Sequence, residues 1–409
     1  MNKQANRAFD IVIVGGGMVG LAMAASLLRQ QAAKQLQIAL VDAQKPQKKH
    51  YSRDEVGNFD PRVSALTARS RQLFESLGLW ESQMQAAACP YQDMYVWDAE
   101  GTGHIEFSCR EVNQPELGFI VENSVIDQAL NSSLAGQTGL TQLRGESVRH
   151  VEIGQDGLML TLGNAQRIKT SLLIAADGAN STIRQQAGFN CREWDYGQKA
   201  IVATVATQKP HQYTAAQCFG PTGPLAFLPL LDVDASQHYS SIVWSCDVDA
   251  AEALLALDEE AFCKRLGAAF EDRLGAIEKL GTRYSFPLWQ RHATDYVQDG
   301  LALIGDAAHS IHPLAGQGVN LGLQDVQVLC QVIVRALEKG EDFASEQVLS
   351  RYQRQRKGDN LGMMALMEVF KRGFGSRDPG LRFLRNTGLS LVDKAAPLKR
   401  QLMQKAMGL

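Results

Sequence analysis

The chain has 409 residues, 45% of them hydrophobic and 21% charged, with a formal net charge of −3. The length favours two or three domains. The composition excludes a disordered, collagen-like or coiled-coil chain, and the slightly acidic balance gives no global basic field to draw the protein onto nucleic acid. Seven cysteines (Cys89, Cys109, Cys191, Cys218, Cys246, Cys263, Cys330) form no CxxC pair. That argues against a disulfide framework or a zinc or iron–sulfur site, and for a reducing cytosol.

Taken in order, Phe9–Val14 is a short β-branched run that predicts a buried strand. Ile11–Leu28 runs without a charge and resembles a signal peptide or membrane span. Its glycine triplet, however, would cost about 1 kcal/mol per residue inside a helix. The stretch reads instead as strand, tight turn and helix, the helix covering Met18–Arg29. Gln37–Val41 predicts a second strand ending at Asp42, which makes a βαβ unit. Gln44–Asp60 is a polar excursion, and Val63–Leu77 is expected to be helical. Short strands are expected over Tyr91–Val121, a helix over Asn123–Leu134, and strands at Ser147–Val151, Leu158–Leu162 and Ile168–Ala175. Residues 196–246 read as an antiparallel sheet and Ala250–Phe270 as helix. Leu301–Ile304 predicts another buried strand, before long helices over Val319–Leu337 and Ser345–Phe374.

Three corners carry the chemistry. The first is Gly15-x-Gly17-x-x-Gly20: Gly15 permits the turn, Gly17 lets backbone approach a pyrophosphate, and Gly20 allows close helix–strand packing. The helix start then offers N–H groups to phosphate, and Asp42 is placed to accept hydrogen bonds from a ribose. This motif specifies a dinucleotide without choosing between NAD and FAD. The second corner is the strand Leu172–Ala175 running into Asp177-Gly178. The third is Leu303–Ile304 running into Gly305-Asp306-Ala307-Ala308-His309. Each alone reads as an ordinary turn or cap. Together, each after an apolar strand, they suit a long cofactor anchored at points far apart in sequence, which is FAD.

At this point the sequence resembles the FAD-dependent aromatic hydroxylases of the para-hydroxybenzoate hydroxylase type. The resemblance implies that Asp177 and Gly178 help to place flavin and reduced nicotinamide, and that Asp306 contacts the ribitol chain. The stretch from His312 to Asp325, with Pro313, Gly316, Gly318 and Asn320, is similar to the signature of the ubiquinone-biosynthesis hydroxylases. By that resemblance the Pro313 backbone lines the oxygen and substrate side of the flavin, Gly316 and Gly318 bring N–H groups to the ring, and Asn320 lies close by. Arg62 sits where the family carries a flavin-contacting arginine, and Glu122 or Asn123 is expected on the ribose or adenine side. Met94–Asp98, Phe119–Ile126, Ala226–Leu230 and Gln404–Leu409 resemble the branch that hydroxylates a 2-polyprenylphenol next to its hydroxyl, the 6-position.

The implied architecture is α/β: a Rossmann-like FAD-binding domain interleaved with an antiparallel-sheet substrate domain, plus C-terminal helices. The expected segments are 1–75, 118–182 and 285–335 for the cofactor, 76–117 and 183–284 for the substrate, and 336–409 for the helical region. The implied activity is hydroxylation of a lipophilic prenylphenol with NAD(P)H and O2, through a flavin C4a-hydroperoxide and without a metal. No residue stands out as the general base; His309 and His312 read better as structural. Alternatives are another ring position or phenolic substrate, a prenyl reductase or halogenase of the same fold (the Trp-x-Trp-x-Ile-Pro pattern of halogenases is missing), or a non-catalytic FAD-binding subunit of a ubiquinone-synthesis complex, and other proteins of that pathway are candidate partners. Residues 377–409 carry seven Lys/Arg and two Asp. They read either as a basic amphipathic contact with the inner face of the membrane or as a helix packed on the core.

Overall fold

The computed structural model describes residues 7–46, 51–154, 157–310, 318–375 and 395–407. Its framework is an eight-stranded sheet whose parallel core runs, in spatial order, Leu301–Leu303, Arg167–Ala175, Arg7–Val14, Ile38–Asp42 and Leu140–Arg144. Ile11, Val12 and Ile13 are fully buried, as are Leu172, Leu173 and Ile174. Continuous apolar runs are what a parallel sheet covered on both faces requires. The helix Met18–Leu28 packs over one face and is itself buried almost all round, so the uncharged stretch at the start of the chain folds as strand, turn and helix.

Register decides where the site lies. Val14 pairs with Ala175 and with Val41, and Ala175 pairs with Leu303. The carboxyl ends of four parallel strands are therefore level, and the corners that follow them open on one edge of the sheet, where α/β proteins bind ligands.

A nine-stranded sheet stands beside it. Cys191–Thr207 is its long central strand, flanked by Tyr239–Asp247 and Tyr284–Ala293. The sheet is antiparallel except where Thr214–Gly220 runs parallel to Asp93–Asp98. The helices Val248–Leu255 and Glu259–Ala269 cover one face through Leu254, Phe262 and Leu266. A third, small sheet of Val63–Leu66, Gly118–Glu122 and Cys89–Tyr91 shares an apolar cluster with the large one, built around Ala65, Cys89, Ile120 and Leu228.

Three expectations need correction. Val63–Leu77 is not one helix: Val63–Leu66 pairs antiparallel with Phe119–Glu122, and the helix starts only at Ala68, where the Thr67 side chain accepts a hydrogen bond from the Ser70 N–H. Ala250–Phe270 is two helices, the second restarted by Asp258, which caps it on the Ala261 N–H. The expected boundary at residue 285 cuts the strand Tyr284–Ala293, whose ladder with Cys191–Val202 puts it in the nine-stranded sheet. In the basic tail, the helix Ala396–Met407 docks on this body: Met403 and Met407 are buried, and Lys399 pairs with Glu111 at 2.9 Å. Leu381, Leu384 and Leu391 of that tail lie outside the described residues. Among the described residues no helix is long and apolar enough to cross a membrane.

Helix-to-turn contact at Gly20 tests the framework. A Cβ there would stand 1.9 Å from the Gly15 carbonyl oxygen, which is backbone and cannot step aside. Gly20→Ala is expected to destabilise the protein by about 1–3 kcal/mol, the usual cost of overpacking, measured as a shift in the urea midpoint at unchanged m-value. An unchanged midpoint would show that the turn is loose.

Candidate active site

The first corner is held open by its glycines. Gly15 has φ +112°, and a Cβ on it would lie 2.2 Å from the Ala176 carbonyl oxygen and 2.9 Å from the Asp177 nitrogen. First and second corners are thus in backbone contact. Gly17 begins the helix with no side-chain cap and nothing within 4 Å of where its Cβ would be. The first-turn N–H groups of a helix have no partner within it. Asp42 ends its strand beside them, with Arg144 Nη1 at 3.1 Å from its Oδ2 and the Gln44 N–H at 3.2 Å from its Oδ1. Gly16 packs under that pair, since a Cβ there would fall 2.2 Å from Arg144 Nη1 and 2.3 Å from Asp42 Oδ2.

At the second corner, Asp177 Oδ2 accepts from the Thr182 and Ile183 N–H groups, while its Oδ1 is buried without a partner. Gly178 follows with open space around it. Buried Arg184 ties the second corner to the third, donating to the Ala179 and Ala307 carbonyls at 2.9 Å each. At the third, Gly305 has φ +59°, and its N–H donates to Asp325 Oδ2 at 2.9 Å. Its Cβ position is 3.2 Å from Val19 of the first helix, and the Cβ position of Gly322 is 3.2 Å from the Gly305 Cα. Asp306 is exposed. Desolvation raises its carboxyl, His309 opposes, and Asp325 adds to the rise.

A polar strip continues from the first corner. Asp60 is buried and accepts from the Arg62 and Ser124 N–H groups at 3.0 and 2.9 Å. Glu122 accepts from the Asp60 N–H and pairs with Arg53, both at 2.6 Å; burial raises its carboxyl against those two partners. Asn123 Oδ1 accepts from the Ser64 hydroxyl at 2.7 Å, and Arg62 is exposed beside this group. Asp127, one turn after Asn123, has its Oδ1 buried without a partner. Burial pushes its carboxyl up to about 6, against Arg62 and Arg144 and with Asp60 and Asp42.

Asn320 is buried and its amide bonds to protein at both ends: Oδ1 accepts from the Thr67 N–H and the Ser70 hydroxyl, and Nδ2 donates to the Ala65 carbonyl. It pins the long helix Gly318–Lys339 to the small sheet. His309 Nε2 meets Asp325 Oδ2 at 2.6 Å, which ties the ring to the wall of the third corner. Gly318 opens the helix with nothing near its Cβ position. Pro313, Gly316 and His312 lie outside the described residues. No group of three or more His, Cys, Asp or Glu placed to hold a metal occurs among the described residues.

Comparison with known proteins decides what this cleft belongs to. Residues 8–362 match the FAD binding domain family. The 3-demethoxyubiquinol 3-hydroxylase of Escherichia coli (strain K12) is 39% identical over 405 residues, covering 99% of this chain and 100% of that protein. The chain belongs to the FAD-dependent hydroxylase family of ubiquinone biosynthesis. The mitochondrial ubiquinone biosynthesis monooxygenase COQ6 of Danio rerio is 36% identical over 442 residues, covering 97% of this hydroxylase and 89% of that protein. In fold, it matches p-nitrophenol 4-monooxygenase PnpA from Pseudomonas putida DLL-E4 with a TM-score of 0.78 over 98% of each chain, at 18% identity. The hydroxylase is a flavoprotein monooxygenase with FAD as cofactor.

The cleft suits that cofactor. Two carboxylate oxygens at its edge, on Asp177 and Asp127, are buried without donors. An uncapped helix start and two glycines with empty surroundings leave room for phosphates and a ring. Sequence reasoning missed Gly16, Asp127, Arg144, Asp325 as a ligand of the third corner, and Arg356. Asn123, Asp127 and Asn131, four residues apart on one helix face, were the available signal for Asp127.

A carboxyl whose folded-state pKa stands above its unfolded value contributes fully below the unfolded pKa and loses that contribution as pH rises through the folded one. For Asp127 the window runs from about 4, the unfolded value, to about 6. Asp127→Asn in the FAD-free protein is expected to gain on wild type across that window, by roughly 1–3 kcal/mol at pH 7, and to match it below. Parallel stability–pH curves for the two proteins would refute the assignment.

Proposed function

We propose that the hydroxylase adds one oxygen atom to the aromatic ring of a polyprenylated phenol in ubiquinone biosynthesis, with NAD(P)H and O2 as co-substrates. The observation that carries the reading is the meeting of all three corners on one sheet edge. Bound FAD supplies the electron transfer and oxygen activation, and the protein binds, orients and excludes water.

In this reading the N–H groups after Gly15 and Gly17 take the pyrophosphate, and Gly20 keeps the helix close enough to present them. Asp42, held by Arg144, receives the adenosine ribose. Arg62 and Asn123, with Asp127 beside them, bound the adenosine end, and the Arg62 guanidinium supplies a fork for phosphate oxygens. Asp306 takes the ribitol, and Asp177 with Gly178 flanks the ring side. Gly318, at the helix start, would offer a backbone donor toward a bound flavin ring; Pro313 and Gly316, outside the described residues, are assigned to the same side by the resemblance alone. The segments around the eight-stranded sheet form the cofactor unit, and the nine-stranded sheet, with Tyr284–Ala293 added to it, forms the substrate unit. The apolar cluster between the large and small sheets gives the ring a dry wall.

The ring position divides two readings. Several stretches of this chain resemble the branch that attacks the 6-position of a 2-polyprenylphenol, whereas the E. coli relative is a 3-demethoxyubiquinol 3-hydroxylase. Mass spectrometry of quinone intermediates in a strain lacking the gene separates them: a build-up of polyprenylphenol supports the first, and of demethoxyubiquinol the second. A normal quinone profile would sink both.

Asp306→Ala is expected to fold but lose FAD on gel filtration, measured by visible absorbance, and with it NAD(P)H oxidation stimulated by a prenylated phenol. Unchanged FAD retention would remove Asp306 from the site.

A further inference from the structure

Beneath the third corner lies a charged network centred on two buried side chains, Asp325 and Arg356. Asp325 is fully buried. Its Oδ2 accepts from the Gly305 N–H at 2.9 Å and from His309 Nε2 at 2.6 Å, and its Oδ1 accepts from Arg356 Nε at 2.8 Å. Arg356, only 1% exposed, spends its remaining donors on Gln324, Asp359, Asn360 and the Leu321 carbonyl. Asn360 passes the network to the Tyr296 hydroxyl, which meets His292 at 3.0 Å.

Stability alone does not account for this arrangement. A buried ion pair is often no better than apolar residues of the same volume, although breaking one is costly. What the pair provides is direction. Gly305 is in the left-handed region, its N–H points into the protein, and Asp325 is the acceptor that receives it. The next residue is Asp306, which is exposed. Rotation of the Gly305 peptide would re-aim Asp306, and Arg356 fixes the carboxylate that prevents that rotation. Arg356 comes from the helix Glu346–Gly375, outside the strand-and-turn segment it steadies.

We propose that Asp325 and Arg356 are positioning residues for the cofactor: they lock the Gly305 turn so that Asp306 is presented to FAD, and they thereby couple FAD loading to the docking of the helix Glu346–Gly375. The inference rests on the reading that FAD lies across the three corners. By linkage, whatever FAD gains from a fixed turn, the docked helix gains from FAD.

The test compares Asp325→Asn and Arg356→Lys with Tyr352→Phe. Tyr352 is on the same helix and donates to the Leu303 carbonyl at 2.8 Å, tying helix to strand without a hydrogen bond to Asp325 or to the Gly305 N–H. Each full-length protein is measured without and with saturating FAD, for Kd by flavin fluorescence and for Tm. A purely structural bond lowers both melting temperatures equally. The network variants are expected to weaken FAD by about tenfold or more, about 1.4 kcal/mol, and to shrink the FAD-induced rise in Tm, whereas Tyr352→Phe lowers Tm and leaves that rise intact. In wild type, FAD is expected to slow amide exchange over residues 350–360. Should Arg356→Lys or Asp325→Asn give no folded protein, His309→Asn, which removes a single bond to Asp325, decides by the same criterion. If the variants bind FAD within about twofold of wild type with an undiminished rise in Tm, about 0.4 kcal/mol or less, the proposal is overturned. If wild type shows no FAD-induced rise, it is the placement of FAD that fails instead.

Discussion

Backbone must approach backbone at several points before this protein has a site at all. Gly15 lies against Ala176, Gly20 against Gly15, and Gly322 against Gly305, each at a distance that excludes a methyl group or forces its neighbour to move. These contacts bring the first helix, the second corner and the long helix Gly318–Lys339 into one packed unit, and the level strand ends do the rest. Interiors of this density transmit displacement instead of absorbing it. A shift of the long helix therefore moves the third corner relative to the first, and a cofactor that spans them registers the change.

Carboxylates in the same region divide into two kinds. Asp60, Glu122 and Asp325 are buried with their acceptors occupied by backbone N–H groups or by arginine. For Asp325, burial alone would push the carboxyl up, but His309 and Arg356 outweigh it and hold the group low and charged. Asp177, Asp127 and Asp306 keep oxygen atoms without a protein donor or open to the cleft. Burying an acceptor without a donor costs about 1–3 kcal/mol, a debt that a ligand's hydroxyl groups remove. On the proposed placement of FAD, the first kind builds the walls and the second kind meets the occupant; buried Asn320, bonded to protein through both its oxygen and its nitrogen, falls among the builders.

What could be read from the sequence was local. Each corner is a strand, a turn and a helix or turn start within about a dozen residues, and those patterns need no tertiary partner to be recognised. Val63–Leu66 failed as a helix because its fate is set by Phe119–Glu122, more than fifty residues away, and edge pairing outweighs a weak helical pattern. Strand Leu140–Arg144 escaped notice because Leu140, Thr141 and Gln142 alternate poorly, and its place beside Ile38–Asp42 is fixed by register. Arg356 gave no signal: an arginine in a charged helix reads as solvated until the carboxylate it meets, thirty-one residues earlier, is located in space.

The two large sheets are joined at the third corner by backbone, not by side chains alone. Directly after Gly305–Ala307 the chain forms the short strand His309–Ser310, which pairs with Arg291 and His292 on the edge of the nine-stranded sheet. Arg184 and Arg291 both reach Glu193 from opposite sides of that junction, at 3.5 and 3.2 Å. Side-chain contacts at a domain boundary can exchange for water as the boundary opens, but a shared β-ladder cannot slip without reversing every side chain it carries. An edge strand of the proposed substrate sheet is thus set in register with the corner proposed to hold the flavin chain. Were FAD held at that corner, the ladder would fix this edge of the sheet relative to it and leave adjustment to loops away from the junction.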